Sequence, residues 1–194
     1  LDDPTLTIPW SELLTAARWH DVGKAHEVFQ KMLTNPLLPN NPQKFGGPWA
    51  KSDHKKGRPD RKHFRHELAS ALALLLHKES DLAAYLAASH HGKVRLSIRS
   101  LPDEEVPLDG QRFARGVWEG DELPGVDLGD GITTQMLSLT LSFMEMGEGP
   151  HGPSWLERTL RLRDDYGPFR LAWMETLVRV ADWRGTAKEG EANA

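Results

Sequence analysis

The 194-residue chain contains no cysteine, so disulfides and thiolate metal ligands are excluded, and any bound metal must rest on histidine nitrogen and carboxylate oxygen. It also lacks a long apolar run. The longest, LASALALLLH from Leu68 to His77, falls far short of the roughly 20 residues that span a bilayer, so no membrane partner is expected. No basic-plus-apolar signal segment opens the chain, and it begins with Leu1 rather than Met, as a processed product or excised fragment would. Neither sign of charge dominates: 24 Lys and Arg stand against 28 Asp and Glu, for a formal charge of -4. That supplies no global attraction to nucleic acid, and a polyanionic partner would need a local basic patch.

What is present is helical patterning. Apolar residues recur at three- and four-residue intervals and predict helices near 10-21, 24-33, 64-78, 80-91, 132-147, 154-165 and 168-186. The expected fold is therefore all-α within one domain over 1-194, with 39% hydrophobic residues to fill its core. The Trp residues at 10, 19, 155, 173 and 183 are assigned to that core. Ser11 and Ser80 are expected N-caps, Ser154 with Glu157 has the form of a capping box, and Gly23 and Gly92 suit left-handed helix ends. The terminal EGEANA is expected to fray.

Two segments interrupt the helices. Thr34 to Lys62 carries five Pro and seven Lys/Arg against two Asp, a proline-rich basic loop. Its Lys55, Lys56, Arg58, Arg61 and Lys62 form the best candidate for tracking a nucleic-acid backbone, because phosphate neutralisation dominates such affinity. The second, Lys93 to Gly131, reads as an insertion. Within it VRLSIR alternates like a half-buried strand, and a small β-hairpin with RFARGVW is expected near 94-118.

Chemistry-bearing residues fall in four places: WHDVGK with His20, Asp21 and Lys24; FRHELAS with His66; AASHHGK with His90 and His91; and VRVADWR with Asp182. His66 opens a strongly apolar helix and Ser70 shares its face, so the imidazole is aimed inward. Buried charges are usually paired, protonated or metal-bound, and a metal would satisfy several of these groups at once. Taken singly, each His reads as an ordinary hydrogen-bonded residue; together they read as a ligand set. His26, His54, His63, His77 and His151 are left outside it.

The ordered set His20-Asp21, Lys24, His66, His90-His91 and Asp182 resembles the HD superfamily of metal-dependent phosphohydrolases. Within that superfamily WHDVGKAHEVFQKML, FRHELASALALL, AASHHGK and VADWR resemble the HD nuclease domain of the type I CRISPR interference helicase-nuclease. The resemblance implies a helical fold holding two divalent ions (Mn, Fe, Co or Ni, with Mg or Zn as further choices). Asp21 would bridge them, His20 and Asp182 would serve the first, and His66, His90 and His91 the second. The ions would polarise a scissile phosphate and acidify water for in-line attack, with Lys24 stabilising developing charge. It further implies an endonuclease acting on single-stranded DNA in antiviral defence in the prokaryotic cytoplasm. Its partners would be an interference helicase, fused or separate, and a guide-RNA surveillance complex. The family pattern also has an earlier His, and no His precedes His20. An N-terminal helix carrying it is expected to be missing from this chain, so the second ion should be retained more easily than the first. Two rivals are an HD phosphohydrolase acting on nucleotides and a catalytically weakened HD docking module.

Overall fold

A computed structural model of the chain describes residues 7–33 and 59–192. The first helix, α1, spans Trp10–Trp19 and is followed by a 3-10 turn, Val22–Ala25, and by α2, Glu27–Leu33. Then come α3, His66–Leu76, and α4, Asp81–Ser89. Three two-stranded antiparallel hairpins occupy the middle of the chain: β1 (Phe113–Ala114) with β2 (Val117–Trp118), β3 (Glu122–Leu123) with β4 (Leu137–Ser138), and β5 (Glu148–Gly149) with β6 (Gly152–Pro153). The chain closes with α5, Trp155–Tyr166, and α6, Pro168–Ala192. It is mainly helical, as its periodicity predicts.

The core is built around α3 and α4: α3 packs on α4 and on the 3-10 turn, and α4 packs on α1, α5 and α6. In α3 nearly every residue from His66 to Leu75 is buried, as expected for a helix apolar on all sides. Alanines at 69, 71, 73, 83, 84, 87 and 88 keep the helices close, while Leu68, Leu72, Leu74 and Leu86 fill the remaining space. Ser80 caps α4 by accepting from Ala83 N–H, and Ser154 caps α5 by accepting from Glu157 N–H. Pro168 opens α6, a position where its missing N–H costs nothing. No helix among the described residues is long and apolar enough to cross a membrane.

Several local expectations give way to tertiary context. The segment 132–147 is not a helix: β4 pairs with β3, Thr133 bridges Asp127, and only Ser142–Met144 forms a 3-10 turn. Leu137, Leu139 and Leu141 recur at a period of two, and the latter two are buried, so the strand pattern prevails over the helical one. VRLSIR forms no strand; Val94 is buried in a bend and Ile98 in the irregular stretch after it, while the hairpin forms between β1 and β2. Its two-residue turn, Arg115-Gly116, has positive φ at both positions, the geometry that matches strand twist. Ser11 is not the α1 cap, which falls at Pro9, and α6 continues through the EGEA expected to fray. Trp19 and Trp155 are core residues, but Trp10, Trp173 and Trp183 are 57%, 44% and 60% exposed. Gly23 has no left-handed backbone; it is needed for a close approach instead.

Candidate metal centre

His20 caps α1 at its C-terminus and Asp21 joins it to the 3-10 turn. Ser70, one turn into α3, fixes this corner: its Oγ accepts from Gly23 N–H at 2.8 Å and donates to His20 O at 2.7 Å. A Cβ on Gly23 would stand 2.0 Å from His66 O, so only glycine lets the turn lie against the start of α3. The β1–β2 turn supports that start from the other side, Arg65 N–H donating to Arg115 O at 2.9 Å. The buried Glu104 carboxylate holds the hairpin by accepting from the N–H groups of Leu101, Arg115 and Gly116. His90 caps α4, with His91 and left-handed Gly92 turning the chain after it. Asp182 arrives from α6.

These elements bring six residues into one cluster. His20 Nε2 lies 3.3 Å from Asp21 Oδ2 and 3.4 Å from Asp182 Oδ1, and His66 Nε2 lies 3.3 Å from Asp21 Oδ1. The His90 ring centre is 5.0, 5.6 and 3.9 Å from those of His20, His66 and His91. Lys24 Nζ donates to Asp21 Oδ2 at 2.6 Å. Two overlapping groups have ligand atoms close enough for one ion each: His66, His90 and His91, and His20, Asp21 and His90. Asp182 stands beside the second through His20.

Proton placement supports a ligand role. His20 Nδ1 donates to Ala17 O at 2.7 Å and His90 Nδ1 to Ala87 O at 2.6 Å, so a neutral ring in either place presents its lone pair at Nε2. Burial lowers the His90 imidazole to about 3, outweighing the Ala87 hydrogen bond, and His91 is lowered by burial and by His66. Burial alone would lower His20 and raise Asp21. The carboxylate of Asp21, helped by Ala17 and Asp182, nevertheless raises His20, while His20, His66 and Lys24 hold Asp21 well below the usual carboxylate range.

The Nε2 atoms of His20, His66 and His90 and Oδ1 of Asp21 are all buried without a hydrogen-bond partner. One or two such orphans are ordinary; four such atoms in one cluster are not, and a divalent cation would satisfy all of them, taking the place of the proton that Asp21 draws onto His20. The residues therefore fit a metal.

The other candidates lie elsewhere. Lys55, Lys56 and Arg58 are outside the described residues. Arg61 pairs with Asp121 at 2.6 Å and stacks on Trp118 at 3.8 Å, whereas Lys62 is exposed. His26, passed over in the sequence, is buried with Nε2 3.2 Å from Asp121 Oδ2, and His63 pairs with Asp103. His77, left outside the ligand set, packs edge-on against Trp19, and its Nε2 is buried. Glu67 and Asp121 were also missed. Glu67 sits in a helix's first turn, where acids are commonplace, and Asp121 has no ionic partner nearby in sequence.

A mainly helical domain that gathers histidines and aspartates from three helix ends and the middle of α6 into a group able to hold a metal has the make-up of a metal-dependent hydrolase of the HD type. The chain belongs to the family described as Cas3, HD domain, whose model matches residues 11–189. Among curated proteins it is 29% identical over 196 residues to the CRISPR-associated endonuclease Cas3-HD of Pyrococcus furiosus, covering 90% of this chain and 70% of that protein. No solved structure matches it.

Proposed function

We propose that the chain is a metal-dependent nuclease that hydrolyses phosphodiester bonds of single-stranded DNA in CRISPR interference, working beside a helicase and a guide-RNA surveillance complex. Membership of the family supports the reading of substrate and partners, and the geometry of the site supports the chemistry. The observation that carries it is the division of Asp21, with Oδ2 toward His20 and Lys24 and Oδ1 toward His66. A carboxylate held between two histidine groups is suited to bridge two ions, one served by His20 and Asp182, the other by His66, His90 and His91. The histidine-rich set favours Mn, Fe, Co or Ni over Mg. Bound divalent ions would supply Lewis acidity, polarising the phosphate and lowering the pKa of water. Lys24, hydrogen-bonded to Asp21, is placed to meet negative charge developing on the phosphate. With three imidazoles and the bridge, the His66 side should keep its ion more firmly.

The exposed Lys62 would serve a nucleic-acid backbone together with Lys55, Lys56 and Arg58, which lie outside the described residues. Arg61 is paired with the buried Asp121 carboxylate, which offsets its charge.

The test is to incubate the protein with single-stranded DNA, duplex DNA and nucleotides in Mn, Co, Ni or Mg, beside Asp21→Ala. Single-stranded DNA should be cut by the parent only. Cleavage that survives Asp21→Ala would sink the mechanism, and turnover of nucleotides alone would shift the substrate to monomers.

A further inference from the structure

A neutral imidazole that ligates a metal through one nitrogen needs an acceptor for the hydrogen on the other, and that acceptor fixes the tautomer. His20 and His90 end helices, so a carbonyl three residues back serves each, Ala17 O and Ala87 O. His66 begins α3 and has no helical turn behind it. Its Nε2 faces Asp21, and the edge contact with Phe29, ring centres 5.4 Å apart, limits its rotation. Against its Nδ1 stands a carboxylate oxygen, Oε2 of Glu67, at 3.6 Å. That is a few tenths of an ångström beyond hydrogen-bond range.

Glu67 is only 1% exposed, and its other oxygen is buried without a hydrogen-bond partner. Its neighbours along α3 are almost all apolar, and leaving a carboxylate uncompensated there is strongly unfavourable. Packing would be served as well by Leu or Met. The mechanism above makes no use of this charge.

We propose that Glu67 is a positioning residue of the metal centre: its carboxylate accepts the His66 Nδ1–H as the ligands tighten around an ion. The Nε2 lone pair is thereby held toward the ion, as main-chain carbonyls hold those of His20 and His90. The negative charge also lies beside the His66, His90 and His91 group, where it favours a cation. This role rests on the metal-centre reading given above.

Binding of Co(II) to the full chain, followed by visible absorption, tests it in the parent, Glu67→Met, Glu67→Gln and His66→Ala, with a metal-free thermal melt of each. Glu67→Met should weaken Co(II) binding about 10–100-fold, the usual effect of losing such a partner, while the metal-free melt is unchanged or higher. Glu67→Gln keeps an acceptor oxygen and should recover most of the affinity. Equal affinity in the parent and Glu67→Met overturns the proposal. So does an affinity loss matched by a fall in the metal-free melt, which reports packing alone, or Glu67→Gln binding no better than Glu67→Met. A parent that binds no Co(II), or His66→Ala that binds as well as the parent, instead overturns the metal-centre reading, and the role of Glu67 with it.

Discussion

Asp21 is flanked by Lys24 at 2.6 Å and by His20 and His66 at 3.3 Å each, so a carboxylate that burial alone would neutralise stays ionised. The same negative charge that draws a proton onto His20 also draws a cation into the cluster. Lys24 competes with that cation for Oδ2. Replacing it by Met should therefore leave Co(II) affinity undiminished while single-turnover cleavage falls about 100-fold, the scale of losing one preorganised charge stabiliser. A parallel fall in metal affinity would show that Lys24 merely orders Asp21. At this scale the sequence was informative, because His20, Asp21 and Lys24 are neighbours in the chain. Glu67 was not legible, since its meaning depends on the absence of a carbonyl behind His66.

Among the elements, the joint between the α1 end and α3 matters most. Gly23 is visible in the sequence as a break after His-Asp, but a break alone does not say why glycine is needed. The reason is distance: the turn lies so close to α3 that a methyl group would strike His66 O. Gly23→Ala should cost about 1–3 kcal/mol in urea unfolding, as overpacking does, and should weaken metal binding by parting His20 and Asp21 from His66. Metal affinity equal to the parent's would show that the joint tolerates movement without disturbing the ligands. The misassigned 132–147 segment illustrates the opposite limit. Its leucines fit periods of two and of three to four, and the partner strand Glu122–Leu123 decides between them.

Across the molecule, Asp121 joins regions far apart in sequence: His26 after the 3-10 turn, Arg61 at the end of the basic loop, and the stretch between β2 and β3. Burial would raise its pKa, but the adjacent His26 and hydrogen bonds from Arg61 and Trp118 N–H outweigh that and hold it below the ordinary 3.8. Its stabilising contribution is then complete above about pH 4 and is lost as the pH falls through the folded-state value. Asp121→Asn should cost about 3 kcal/mol at neutral pH, the scale of breaking a buried ion pair, and the variant and parent should converge in acid. Chemical unfolding across pH checks this; a pH-independent difference would mean that shape rather than charge is at work.

The sequence by itself determined the helical class and the absence of thiolate chemistry, because side-chain type and helical spacing are local properties, and its resemblance to a family singled out His20, Asp21, His66, His90, His91 and Asp182 as expected ligands. The tertiary structure decided which oxygen of Asp21 faces which histidine, that His90 belongs to both ligand groups, that Ser70 and Gly23 hold the corner, and that Asp121 pairs with Arg61. Each of these depends on contacts between groups separated along the chain, set by how closely packed helices approach, and no local pattern encodes that separation.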